Sequence, residues 1–131
     1  MARISEREYS ACFQQAEYVF NGIKEKKEVV IYLMKEVKMK KRSAESYINA
    51  YLCMRAGQCY KMTINNNATL FYLDHIYSEN GKTALELSLQ ALQSHLNYYS
   101  MQGKGNLVFL QKLHDYFVLD VLNKMNMLEC D

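Results

Sequence analysis

Half of the positive charge of this chain sits in one short stretch. Of 16 Lys and Arg residues, eight fall between positions 24 and 42: Lys24, Lys26, Lys27, Lys35, Lys38, Lys40, Lys41 and Arg42. Glu25, Glu28 and Glu36 share the stretch, leaving it at +5 and the rest of the 131-residue chain at −3, for a net +2. Clustered cations attract phosphates through a long-range field and through counterion release. A second explanation needs no partner, because a basic helix end is favoured by the negative C-terminal end of the helix dipole. Ser43, Ser46 and Asn49 follow directly at helical spacing. Serine hydroxyls and the amides of a helix start can hold phosphate, and asparagine can pair with adenine. Residues 24–57 therefore read as a basic helix-turn-helix-like segment that offers Lys38, Lys40, Lys41, Arg42, Ser43, Ser46 and Asn49 to DNA. Its turn lacks the glycine common in such motifs, and Glu45 would oppose a phosphate.

Other chemistry finds fewer candidates. His75, His95 and His114 fall on three different predicted helices, with no HExxH among them. Asp74-His75 and His114-Asp115 are neighbours, but adjacent helical side chains point about 100° apart, so no direct pairing is expected. His95, beside Leu96, reads as a hydrogen-bonded core residue. Cys12, Cys53, Cys59 and Cys130 form no CxxC pair, and none lies three to five residues from a histidine. That spacing argues against a zinc site, and no metal or cofactor is expected. Cys12 and Cys53 lie in apolar patterns as small hydrophobes, and Cys130 is expected to be exposed at the chain end. Gly103-Lys104-Gly105 lacks the preceding strand of a phosphate loop, and no GxSxG elbow occurs. No catalytic residue is nominated, and catalysis is not expected of the chain alone.

The elements that would position these residues are helical almost throughout. Tyr9, Cys12, Phe13, Ala16, Val19 and Phe20 form one stripe, opened by a Ser5/Glu8 capping box and closed by Asn21-Gly22. Val29, Val30, Leu33, Met34 and Val37 form a second, which runs into Lys38–Arg42. Ser43 is the expected cap of a third helix carrying Tyr47, Ile48, Tyr51 and Leu52, with Gly57 as its stop. Positions 58–64 follow no helical period. Asn65, Asn66 and Asn67 offer caps for a fourth helix with Leu70, Leu73, Ile76 and Tyr77 inward. The fifth is expected from Lys82 to Met101, with Leu85, Leu89, Leu92, Leu96 and Tyr99 as its stripe. The sixth is expected from Asn106 to Met125, with Leu107, Leu110, Leu113, Phe117, Val121 and Met125 on one side. These patterns predict an all-α fold: one domain over 1–131, a bundle of about five to six helices with short, glycine-ended connections. The chain has no proline, so helix stops fall to its five glycines. The Lys38–Arg42 turn is the break without one.

The fifth helix carries almost no charge between its bounding glycines. Opposite the leucine stripe lie Gln90, Gln93, Ser94, Asn97 and Ser100. Such a helix is either shielded by neighbours or part of an uncharged contact surface. Gln90, Gln93 and Asn97 are therefore candidate contacts for a protein partner or for a homo-oligomer. Eleven tyrosines are present. Most must pack their rings in the core, with Tyr98-Tyr99 expected to split one in and one out. Apolar runs are too short to span a membrane, and no secretory signal opens the chain, so reduced thiols in a cytoplasm are expected.

From Ser43 to Phe117 the chain resembles a small helical module found ahead of HNH nuclease domains in bacterial restriction-type endonucleases. The matching positions are Tyr47, Gly57-x-x-Tyr60, Asn80-Gly81, and a long helix with Ala91, His95 and Tyr98-Tyr99. The resemblance implies an accessory module near DNA cleavage, aiding DNA contact or assembly, without cleavage of its own. Ser43-Ala44-Glu45-Ser46-Tyr47 is also similar to the start of helical arm-binding or core-binding domains of tyrosine recombinases. The resulting expectation is a non-catalytic helical module that binds DNA through 24–57, accessory to a nuclease or mobile-element system. The alternative is a protein-interaction module using the 82–101 helix.

Overall fold

Residues 3–103 and 105–122 are described by the computed structural model, and they fold as six α-helices with no strand among them. Helix α1 spans Glu6–Phe20 and opens with the expected capping box. The Glu8 amide donates to Ser5 Oγ at 3.3 Å, and the Ser5 amide donates to the Glu8 carboxylate at 3.0 Å. Helix α2 spans Lys26–Lys35, α3 Lys41–Ala56, α4 Asn66–Asn80, α5 Lys82–Met101 and α6 Val108–Tyr116. A π-helical turn, Phe117–Leu122, continues α6.

Two helices form the middle of the bundle. Helix α3 packs on α1, α2 and α5, while α5 packs on α3, α4 and α6. Burial follows from this. Helix α3 hides Ala44, Tyr47, Ile48, Ala50, Tyr51 and Met54, more than a single stripe. Helix α5 hides Ala84, Ser88, Ala91 and His95 beside its leucines, as a helix with several neighbours must. Small residues at three of these positions let the backbones approach.

Phe13 of α1 is the aromatic hub. Its ring meets Tyr51 at 5.1 Å, Tyr72 at 5.4 Å and Phe71 at 5.6 Å, all in the edge-on geometry that the ring quadrupole favours. Three buried tyrosines find partners for their hydroxyls, while the buried Tyr60 hydroxyl has none among the described residues. Tyr72 donates to the Tyr47 carbonyl at 3.1 Å, Tyr47 accepts the Asn65 amide at 3.1 Å, and Tyr51 accepts from Arg55 at 2.8 Å. Tyr98 and Tyr99 do not split in and out, since both are half-buried.

The non-helical stretch 58–65 is held by one histidine. His95 is fully buried and stacks on the Tyr60 ring at 4.4 Å. The Tyr60 carbonyl lies 2.6 Å from Nδ1 and can only accept, so Nδ1 carries the proton. Nε2 then accepts from the Thr63 hydroxyl at 2.8 Å. Burial holds the His95 imidazole below its usual pKa and favours this neutral form, against the raising effect of the Tyr60 bond. Asn65 next caps α4 by accepting the Ala68 amide at 2.7 Å, and its amide group ties back to the Ile4 carbonyl.

Some stripe positions face differently from the expectation. Phe20, Met34 and Leu70 are exposed. Helix α4 turns Leu73 and Ile76 inward as expected, but adds Ala68, Thr69 and Tyr72 in place of Leu70, because α1 and α5 flank it. Helix α6 begins at Val108, two residues after the expected start. Its π turn adds a residue to the period, so Leu122 is buried where Val121 was expected. Met125 and Cys130 lie outside the described residues.

Gly57 ends α3 in the left-handed region at φ +70°, and a Cβ there would meet Leu87 Cδ2 at 2.8 Å. Gly57→Ala is expected to cost about 1–2 kcal/mol from the left-handed strain alone, read as a lower urea midpoint. A second prediction concerns pH. Burial raises the Glu17 carboxyl of α1, and its bond to Glu79 of α4 and that group's charge raise it further, to about 7, against Arg55 and His75. The folded state thus holds a proton that the unfolded chain, titrating at about 4.3, has already lost. Glu17 therefore favours folding at acidic pH, and this contribution fades as pH rises through about 7. Urea midpoints should fall between about pH 5 and 8, and Glu17→Gln should flatten that decline.

Candidate nucleic-acid interface

The turn between α2 and α3 is built around a methionine. Met39 is only 5% exposed, and its thioether accepts from the Cys12 thiol of α1 at 3.4 Å. The Met39 amide donates to the Leu33 carbonyl at 3.1 Å. From α1, the Arg7 guanidinium donates to the Val37 carbonyl at 3.1 Å, and the Val37 side chain is buried. Burial pushes the Cys12 thiol up to about 12, with the Glu8 charge adding to it, so this cysteine stays protonated and inert.

With Val37 and Met39 turned inward, the cations between and after them turn outward. Lys38, Lys40, Lys41 and Arg42 are all exposed. Lys38 takes φ +66°, the only non-glycine residue with positive φ among the described residues. The turn therefore does need a left-handed residue, and a lysine occupies it.

Two further expectations change here. Helix α2 ends at Lys35 with Glu36 as its cap, before the cluster begins. Ser43 is not the cap of α3. Lys40 is the cap and makes no side-chain cap hydrogen bond, and Ser43 is the third helical residue. The sequence pattern missed this because the buried Met39 starts the helix earlier than the first good capping residue. The consequence is electrostatic. Of the eight cations between 24 and 42, only Lys35 lies in a last helical turn, where the dipole favours a cation. Lys40, Lys41 and Arg42 stand at the positive end of α3, with no acid in its first turn. Among the described residues none of them forms an ion pair.

Arg42, Ser46 and Asn49 share one face of α3 at four- and three-residue steps. Asn49 is exposed there, while Ser43 and Ser46 are half-buried. Lys24 is set apart, its ammonium resting over the rings of Tyr18 at 4.9 Å and Tyr32 at 5.5 Å.

The uncharged face of α5 is engaged within the chain. Gln90 donates to the Gly57 carbonyl at 3.2 Å. Gln93 exchanges hydrogen bonds with Gln111 of α6 at 2.9 and 3.3 Å, and donates to Asn97 at 3.0 Å. Gln111 continues to Asp115, and Asp115 pairs with His114 at 3.0 Å. The last contact corrects the expectation that these sequence neighbours do not pair, since the exposed Asp115 carboxylate bends toward the half-buried His114 ring. The bonds from His114 and then Gln111 hold the Asp115 carboxyl below its usual range. Among the described residues no group of three or more His, Cys, Asp or Glu could hold a metal, and no helix is long and apolar enough to cross a membrane.

Replacing Lys38 by glycine should relieve the left-handed strain and raise stability by about 0.5–1 kcal/mol, while removing one exposed cation. Urea unfolding checks the first effect. A destabilised Lys38→Gly variant would mean that the lysine side chain itself holds the turn. Comparison of the chain with protein-family models, curated proteins and solved structures finds no match.

Proposed function

We propose that this chain is a non-catalytic helical module that binds duplex DNA through residues 24–57. The observation that carries the reading is the cation cluster at the positive end of α3, where Lys40 is an unassisted cap and Lys41 and Arg42 fill an acid-free first turn. Like charge at that position opposes the helix dipole, and a phosphate would offset both the dipole and the lysines. Lys38, Lys40, Lys41 and Arg42 would contact the backbone, with amides at the start of α3 near Ser43 and Ser46. Asn49 would reach a base edge from the next turns. Glu45, exposed one turn after Lys41 and one turn before Asn49, opposes a phosphate on that face. A role accessory to a nuclease or mobile-element system, in a bacterial cytoplasm, belongs to this reading.

Association with a protein partner or a second copy through Gln90, Gln93 and Asn97 is the second reading. It is supported by the exposure of Gln90 and Asn97, but the bonds that all three amides make within the chain serve it less well.

Fluorescence polarisation with a labelled duplex at 50 and 200 mM salt tests the DNA reading. Affinity should fall with salt. Changing Lys38, Lys40, Lys41 or Arg42 to Ala should lower the logarithmic slope by about 0.9 for every phosphate the cation neutralises. No binding at the lower salt, or binding indifferent to these substitutions, would sink it.

A further inference from the structure

Helices α2 and α3 leave a groove of about 700 Å³ between them. Val30, Ile31 and Met34 form its floor. Lys26 and Lys27 of α2 and Lys41 of α3 stand on its rim, with Glu45 as the single acid. Ile31 is 43% exposed and Met34 38%, so α2 carries a second apolar row besides the one that faces the core. A polyanion alone would use the lysines and leave this row in water. A purely apolar partner would leave the lysines uncompensated. The groove calls for a surface that is apolar on one side and acidic at its edges.

Its shape narrows the choice. The lining residues of α2 run from Lys26 to Met34, about 12 Å at 1.5 Å per residue, or two helical turns. The trough lies open between two helices, which suits a rod laid lengthwise. Lysine stems add apolar wall beneath their charges, and methionine adapts its shape to what it meets. We propose that this groove docks an acidic amphipathic helix of a protein partner. The proposal does not rest on the DNA reading. Lys41 belongs to both surfaces, so the two ligands would compete.

A fluorescein-labelled 18-residue Leu/Glu peptide with all leucines on one helical face is the probe. Two controls accompany it: one of the same composition with leucines scattered, and one with Lys replacing Glu. The acidic amphipathic peptide should bind at least about tenfold tighter than either control. Ile31→Asn with Met34→Asn should weaken it about tenfold, with the circular dichroism spectrum unchanged, since both sites are exposed. Lys26→Ala with Lys27→Ala should weaken it less, through charge alone. Absence of binding, equal binding of the scattered peptide, or indifference to the Asn changes would overturn the proposal. Duplex DNA should be unaffected by the neutral Asn changes. If instead DNA or phosphatidylglycerol vesicles bind in a manner that the Asn changes abolish, the groove belongs to that ligand and the peptide assignment falls.

Discussion

Met39 lies in the core beside Cys12, although Lys38, Lys40, Lys41 and Arg42 surround it in sequence. Burying that one thioether contributes on the order of 1.5–3 kcal/mol, and it fixes where everything near it must point. Val37 and Met39 turn inward on either side of a sharp reversal. Lys38 makes that reversal at φ +66°. The Arg7 bond to the Val37 carbonyl and the Met39 bond to the Leu33 carbonyl hold it in place. The exposure of the four cations is therefore a consequence of a hydrophobic anchor, not of local charge preference.

The anchor sets two demands against each other. It seats a lysine as the cap of α3 and two further cations in its first turn, where serine, asparagine or an acid would be more stable. The rest of the bundle tolerates this because α3 is secured elsewhere. Tyr47, Ile48, Tyr51 and Met54 are buried against α1, α2 and α5, and Gly57 closes the helix in the left-handed region. The His95 clamp on Tyr60 and Thr63 then fixes the connector that follows. Unfavourable charge at one end of a well-packed helix is the condition under which an anionic ligand gains most.

Much of the fold was legible because its signals are local. The Ser5/Glu8 box, the Asn65 cap, and the stops at Gly57 and Gly81 each act over a few residues, and the ends of α1, α3, α4 and α5 follow from them. The start of α3 was hidden because a tertiary contact decides it. Nothing in the run Lys38–Arg42 says that Met39 reaches Cys12 from 27 residues away. Met34 and Leu70 fit the helical period yet face water, since periodicity gives a stripe and only the neighbours decide its edges. The groove on α2 was missed for the same reason. Of the candidate DNA contacts, the exposed cations and Asn49 could be read from charge and spacing. The half-burial of Ser43 and Ser46 could not, because it depends on the register that Met39 imposes.

The cations at the start of α3 oppose the helix dipole, and in the proposed DNA reading they serve an anionic ligand. Lys40→Ser tests this most directly, because it installs a capping oxygen and removes one charge without touching the core. Stability and duplex affinity should be measured on the same preparation. The account predicts a gain of about 1 kcal/mol in unfolding free energy together with weaker DNA binding. A variant that loses stability, or gains it with DNA binding intact, would contradict the claim.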